Sequence, residues 1–262
     1  MSNSIEFNWD IEDFDNDLNV TDKDEGVSIS VSYFKNNVNA IILEAGCGNG
    51  RVVKYLQNLG YSNIEGVELN SKIVKEVNSR FKDLNIYQGD LLIHPFKNDY
   101  YDFIISYGVI EHFKDGIDEP LKVFHNILKK DGVAILTVPA YNLYTKMRYM
   151  LSKIKPSNKE RAKNIRGKDG NQFVVSPLYG DFFFYYLTPS EFKKLCQDAG
   201  FSIIEYKEIS HEFGLYHALG KIVGNFSGNL VILNKFGKIL NRILKLIPNC
   251  YNHMQLLVLK KV

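Results

Sequence analysis

The residue types best suited to chemistry cluster in and after one glycine-dense stretch, Ile41-Ile42-Leu43-Glu44-Ala45-Gly46-Cys47-Gly48-Asn49-Gly50-Arg51. An apolar run breaks there into a turn and then a helical pattern, which reads as strand, tight loop and helix. Glycines at 46, 48 and 50 let the backbone turn sharply and approach a ligand where a Cβ would clash or forbid positive φ. The free N–H groups of the following helix suit a carboxylate as well as a phosphate. A dinucleotide fingerprint would put its third glycine where Arg51 stands, so the spacing argues against NAD. For proton transfer near neutrality the candidates are His112, then His211 and His217, with Tyr107, Tyr141 and Tyr186 as hydrogen-bonding groups. Cys47, Cys196 and Cys250 are far apart and lack Cys-x-x-Cys spacing, so neither a zinc site nor a disulfide framework is expected.

The elements that must position these groups alternate along the chain. Val52, Val53, Leu56 and Leu59 continue the loop as a helix, with Gly60 as its stop. Asn63 to Val67 is the next strand, and it ends in Glu68, about 20 residues past the glycine loop, where open α/β folds place a carboxylate for ribose hydroxyls. Ser71 is expected to cap a helix carrying Ile73, Val74, Val77 and Phe81, and Leu84 to Tyr87 is a third strand ending in Gln88-Gly89-Asp90-Leu91. Tyr101 to Ser106 is apolar on both faces apart from Asp102, as for a central parallel strand. A helix from Leu121 to Leu128 and a fifth strand, Val133 to Val138, follow.

Glu44-Ala45-Gly46-Cys47-Gly48-Asn49-Gly50 resembles motif I of the class I S-adenosylmethionine-dependent methyltransferases. Tyr107-Gly108-Val109-Ile110-Glu111-His112-Phe113 resembles the segment after motif IV in the ubiquinone/menaquinone-type group of that family, and Leu128-Lys129-Lys130-Asp131-Gly132-Val133 resembles its turn before strand five. The resemblance covers residues 35 to 140 motif by motif. It implies S-adenosyl-L-methionine as cofactor, with Asp90 at the adenine amine. The pocket it implies comprises Glu44, Gly46, Cys47, Gly48, Gly50, Arg51, Glu68, Leu69, Asp90, Leu91, Ser106, Tyr107 and His112. His112 is also the first candidate for a catalytic base, or else a brace of that pocket. The implied fold is an α/β, Rossmann-like, doubly wound seven-stranded sheet of six parallel strands and one antiparallel. A helical lid insertion follows strand five, and an amphipathic helical insertion precedes the last strand.

The flanks are read from composition. An N-terminal arm over 1–36 concentrates acids between Glu6 and Glu25 against the single base Lys23, with Trp9 and Phe14 available to fold over the cleft. Val27 to Asn36 forms a short helix in which Tyr33 could face the cofactor. The insertion over 140–187 is basic, either a solvated loop or a lid for an anionic acceptor, and Asp181-Phe182-Phe183-Phe184-Tyr185-Tyr186 should line a pocket. Thr188-Pro189-Ser190-Glu191 opens a helix as a capping box. Phe201 to Ile209 and His253 to Lys260 are strands six and seven. Within the insertion over 217–249, Ile222, Phe226, Phe236, Leu240, Ile243 and Ile247 recur at helical spacing beside Lys235, Lys238, Arg242 and Lys245. Such a basic amphipathic helix either contacts a membrane surface through 219–247 or packs on protein.

A chain of 262 residues, 45% hydrophobic and 24% charged, suits one catalytic-size domain. No signal sequence or membrane span is evident, and a cytoplasmic setting is expected. The expected activity is methyl transfer to an oxygen, less readily a nitrogen or carbon, of a small-molecule, glycan or lipid-linked acceptor, by a monomer or homodimer. Nucleic acid is disfavoured as acceptor, because Ser106-Tyr107-Gly108-Val109 stands where an Asn-Pro-Pro-Tyr motif would. The alternative is a non-catalytic relative that binds the cofactor as a scaffold.

Overall fold

The computed structural model describes residues 14–35, 37–154, 163–166, 172–176, 182–227 and 230–262. Its main sheet holds β1 (Ile42–Ala45), β2 (Ile64–Glu68), β3 (Ile86–Gln88), β4 (Tyr101–Tyr107), β5 (Leu128–Pro139), β9 (Phe201–Ile209) and β12 (Met254–Lys261), in the order β3-β2-β1-β4-β5-β12-β9. The pairs from β3 through β5 are parallel, whereas β12 runs antiparallel to both β5 and β9. One strand is therefore reversed among six of common sense, as the resemblance implies. That reversal brings the start of β12, at Met254, beside Pro139 at the carboxyl end of β5.

Helices cover both faces of the sheet. On one side α2 (Glu25–Phe34), α3 (Arg51–Asn58) and α4 (Ser71–Arg80) bury Val27, Phe34, Val53, Leu56 and Val77 against Ile42, Ile64 and Ile105. On the other, α5 (Asp118–Ile127) and α7 (Pro189–Asp198) bury Leu121, Phe124 and Phe192 against Ile104, Leu136 and Leu257. β1 is covered on both faces and buried at all four positions, apolar except for Glu44. The capping box opening α7 is present, with the Glu191 carboxylate accepting the Thr188 N–H at 2.7 Å. The cap of α4 is Asn70 rather than Ser71. Its side-chain oxygen accepts the N–H groups of Lys72 and Ile73, one position earlier than the serine expected from sequence.

Three other expectations are revised. The Lys129-Lys130-Asp131-Gly132 turn lies inside β5, where Asp131 takes φ 64° and the pairing with β4 jumps from Leu128 to Val133. The turn residues are accommodated as an irregularity of one long strand. The insertion after β5 opens as expected with a helix, α6 (Leu143–Ile154), and then adds a three-stranded antiparallel sheet, β6 (Lys163–Arg166), β7 (Gln172–Ser176) and β8 (Phe182–Tyr186). The aromatic run is thus a strand; Asp181 lies outside the described residues.

The continuous helix read between Leu219 and Ile247 is the third. After α8 (His211–Leu219) come a short 3-10 turn over Gly220–Ile222, a hairpin of β10 (Gly224–Ser227) and β11 (Leu230–Leu233), and only then α9 (Lys235–Leu244). Ile222 and Phe226 are not on that helix. The antiparallel pairing from Gly224 with Leu233 to Ser227 with Leu230 takes the place of the helical spacing. At the other terminus α1 (Phe14–Val20) buries Phe14 against Phe81, 4.4 Å between ring centroids. Trp9 lies outside the described residues.

Candidate functional site

Between β1 and α3 the chain makes the turn that the glycines permit. Gly46, Gly48 and Gly50 take φ of 79°, 53° and 78°. A Cβ on Gly46 would come within 2.5 Å of Val109, and one on Gly50 within 2.3 Å of Ile86. Gly46 and Gly50 therefore need glycine for conformation and for space, and Gly48 for conformation. Cys47, between them, is buried and packs toward Gly66 of β2. Arg51, the first residue of α3, turns back to Asp24 at 2.8 Å and to the Thr21 hydroxyl at 3.2 Å, and Asn49 donates to Asp17 at 3.0 Å. The acidic N-terminal segment thus lies along the rim of the loop.

Carboxylates surround the loop. Glu68 at the end of β2 accepts the Gly48 N–H through one oxygen and the Asn70 N–H through the other, both at 2.9 Å. Glu44 in β1 is buried, and burial pushes its carboxyl up to about 8 against the pull of Arg51. Asp90, after β3, accepts the Leu92 N–H at 3.0 Å through Oδ1. Glu111, in a 3-10 turn after β4, is buried and likewise raised to about 8 by desolvation. The second oxygens of Glu44, Asp90 and Glu111 are all buried without a hydrogen-bond partner. Leu69 is half-buried, and Leu91 packs into the core.

At the carboxyl end of β4 the Ser106 hydroxyl donates to the Ala45 carbonyl at 3.0 Å, which ties β4 to the strand that enters the loop. The Tyr107 hydroxyl reaches the Ser30 hydroxyl of α2 at 2.6 Å. His112 stands 3.8 Å from the Glu111 carboxylate and meets the edge of Phe184 of β8, centroids 6.3 Å apart. The insertion sheet therefore borders the candidate base. Tyr33 faces away from the loop and donates to Glu205 of β9 at 2.8 Å.

A cavity of about 770 Å³ opens beside the loop, between the N-terminal helices and the C-terminal hairpin. Asp17, Asp24 and Arg51 wall one side; Phe213, Leu230, Val231, Ile232 and His253 wall the other. His253 precedes β12, and its carbonyl accepts the Ala140 N–H at 3.0 Å, so it stands at the carboxyl end of β5. Ligands in open α/β sheets lie beyond these strand ends. Phe213 packs on the His253 ring at 4.5 Å and His217 stacks on it at 5.8 Å. Burial, then the His217 charge, brings His253 down to about 4. His211 is also brought down to about 4, chiefly by burial, and lies 3.7 Å from Glu208. Among the described residues no group of three or more potential metal ligands occurs.

A family model described as a methyltransferase domain matches residues 28–206. The chain belongs to the methyltransferase-domain family. A Mycolicibacterium smegmatis protein provisionally named an S-adenosylmethionine-dependent methyltransferase is 26% identical over 98 residues, 37% of each chain. A Bacillus subtilis protein provisionally named a 23S rRNA (guanine-N(1)-)-methyltransferase is 26% identical over 114 residues, 42% of this chain and 38% of that one. The chain thus matches less than two fifths of the length of these curated relatives. Among solved structures, an S-adenosylmethionine-dependent methyltransferase of Mesorhizobium loti superposes with a TM-score of 0.56 at 14% identity, covering 90% of this chain and 98% of that one. The Burkholderia thailandensis 1,6-didemethyltoxoflavin N1-methyltransferase, solved with S-adenosylhomocysteine, gives 0.55 at 12% identity over 96% and 85%. The fold is that of the class I S-adenosylmethionine-dependent methyltransferases, whose cofactor is S-adenosyl-L-methionine.

The methyltransferase domain fits that cofactor on its own chemistry. Each unpartnered buried acceptor costs about 1–3 kcal/mol and calls for a reason. S-adenosylmethionine carries an ammonium, a sulfonium, a ribose diol and an exocyclic amine, a set of cations and donors for a pocket of acceptors. Ser106 and Tyr107 have their side chains engaged with Ala45 and Ser30 of the protein itself. His253, with Phe213 behind it, lines the cavity beside the loop, a position that sequence reasoning passed over. It was read as the start of a strand, and no local pattern marks which strand end faces the loop.

Proposed function

We propose that this methyltransferase-domain protein transfers a methyl group from S-adenosylmethionine to an oxygen of a small-molecule, glycan or lipid-linked acceptor held in the 770 Å³ cavity. The observation that carries this reading is the shared wall: Arg51 belongs both to the glycine loop and to the cavity, and His253 lines the same space. The bound cofactor would supply an electrophilic methyl on a positively charged sulfur. Gly46, Gly48 and Gly50 with the α3 N-terminus would cradle its methionine end, Glu68 its ribose and Asp90 its adenine. Glu44 would face its cationic groups. Leu69, Leu91, Ser106, Tyr107 and His112 complete that pocket in this reading, with Cys47 packed behind the loop.

What the chain's own residues contribute is alignment and a proton acceptor. Holding acceptor and methyl in line supplies much of the acceleration in a direct substitution. A neutral imidazole in hydrogen-bond reach of the acceptor hydroxyl would take its proton as the O–C bond forms and the sulfur–methyl bond breaks, the electron pair returning to sulfur. His253 is neutral above about pH 4 and borders the cavity. His112, beside Glu111 and under Phe184, is the second candidate for that role. The rRNA named for the Bacillus relative is not carried over, since that likeness spans 42% of this chain.

Incubation with S-adenosylmethionine and fractionated cell extract tests the reading through release of S-adenosylhomocysteine. Cofactor binding without turnover in any fraction would favour the non-catalytic scaffold. Parallel assays of His253→Ala and His112→Ala assign the base to whichever loses turnover while still binding cofactor.

A further inference from the structure

The C-terminal module has its amphipathic helix turned outward. The inward face of α9 presents Gly237, whose Cβ position would lie 2.1 Å from the Val223 carbonyl, and Asn241. Asn241 accepts the Tyr251 hydroxyl and donates to Glu212 at 2.7 Å. Leu240 and Leu244 reach a small core of Leu215, Val223, Leu233 and Tyr251. The outward face holds Phe236 and Ile239, 55% and 62% exposed, with Ile243 one turn on and Leu246, 81% exposed, just beyond the helix. Surface helices of globular domains bury such a stripe. Here a glycine and an asparagine take the fully buried positions, Leu240 and Leu244 are half-buried, and Phe236, Ile239 and Ile243 face out.

The apolar stripe continues onto the hairpin and the turn before it, where Ile222, Phe226 and Ile232 are exposed. Hydrogen bonds from the Asn234 backbone and side chain to Val223 and Ile222 lock turn, hairpin and helix together. Charge on this module has one sign. From Phe213 to Val262 the sequence contains no acidic residue, while Lys221, Lys235, Lys238, Arg242 and Lys245 surround the apolar stripe. Glu212, just outside, is taken up by Asn241 at 2.7 Å and by Lys245 at 3.3 Å. An exposed apolar stripe edged with cations is the pattern of a helix lying in a lipid interface.

We infer that the β10–β11 hairpin and α9 dock this protein on an anionic lipid bilayer, with Phe236, Ile239, Ile243 and Leu246 entering the interface and the flanking lysines and Arg242 meeting acidic headgroups. Because β11 also walls the cavity, this docking selects the lipid-linked class among the acceptors named above. That narrowing rests on the proposed function; the docking itself does not.

Sedimentation with phosphatidylcholine vesicles, with and without phosphatidylglycerol, at low and high salt, reads docking without any methyl transfer. The expected result is binding that requires phosphatidylglycerol, weakens with salt, and falls at least tenfold in Phe236→Asp/Ile239→Asp. Lys238→Ser and Arg242→Ser, which leave the apolar stripe intact, should each weaken binding about fivefold. Circular dichroism and S-adenosylhomocysteine binding by calorimetry establish that the variants are folded. Absence of binding, or equal binding to neutral vesicles, overturns the inference. So does a dimer in light scattering that Ile239→Asp converts to monomer, since a second copy would then cover the stripe. Loss of turnover with vesicle binding intact would count against the proposed reaction alone.

Discussion

Glu68 grips Gly48: a carboxylate oxygen at the end of β2 accepts the loop glycine's N–H at 2.9 Å, and its other oxygen accepts the N–H of the α4 cap, Asn70. The residue expected to hold ribose therefore also holds the loop. Glu68→Ala should weaken S-adenosylmethionine binding by about 1–3 kcal/mol and, by leaving two backbone donors unpaired, lower the melting temperature as well. Calorimetry and thermal unfolding check the two effects separately. Unchanged affinity would remove Glu68 from the cofactor site, and an unchanged melting temperature would deny its role in the loop.

Gly50→Ala tests the loop geometry. A side chain there would meet both a φ of 78° and the Ile86 side chain at 2.3 Å. We expect a stability loss of about 1–3 kcal/mol, measured by denaturant unfolding, with cofactor affinity lost in parallel. Gly60→Ala, whose nearest neighbour would be Val38 at 3.8 Å, carries a φ of 98° without the clash and should cost less.

Stability of the free protein should decline as pH rises from about 6.5 to above 8. Glu44 and Glu111 hold their protons in the folded state up to about pH 8 but lose them near 4.5 when unfolded, so each destabilises the fold as pH climbs. His211 and His253, brought down to about 4, act in the opposite sense and only below 6.5, where unfolding lets them take up protons. Melting temperature against pH measures this, and Glu44→Gln should flatten the alkaline decline. A cationic ligand at Glu44 favours the ionised carboxylate, so S-adenosylmethionine binding should release protons over the same range. Calorimetry in buffers of different ionisation enthalpy detects that release.

A base at His253 should give turnover an acid limb. If it takes the acceptor's proton, kcat should persist well below pH 6.5 and fail only as pH approaches 4, where the ring becomes charged. His253→Ala should reduce kcat by about 100- to 10,000-fold with little change in cofactor affinity. An acid limb near 6.5, or a kcat untouched by the substitution, would transfer the role to His112.

Much of the cofactor half could be read directly because its constraints are local. Gly46, Gly48 and Gly50 are demanded by the φ values of a single turn, and Glu68 and Asp90 follow their strands in register. Even here details shifted: Asn70 competes with Ser71 as the cap, and Asp131 lets a turn be absorbed into β5. The C-terminal insertion departs from the helix its apolar spacing suggests, because Gly220, at φ 61°, ends α8 and the chain goes on as turn, hairpin and shorter helix. Periodicity reports a repeating face and is blind to which neighbour that face meets.

By itself the sequence determined the loop, the alternation of strands and helices up to β5 and the family they imply, since backbone sterics and alternation act over a few residues. Only the tertiary structure decided that His253 shares a cavity with Arg51, more than 200 positions away, because reversal of β12 carries its first residues to the carboxyl ends of the parallel strands. It also decided that α9 buries Gly237 and Asn241 and leaves Phe236 and Ile239 outside, for the close approach of the Val223 carbonyl admits no larger side chain at position 237.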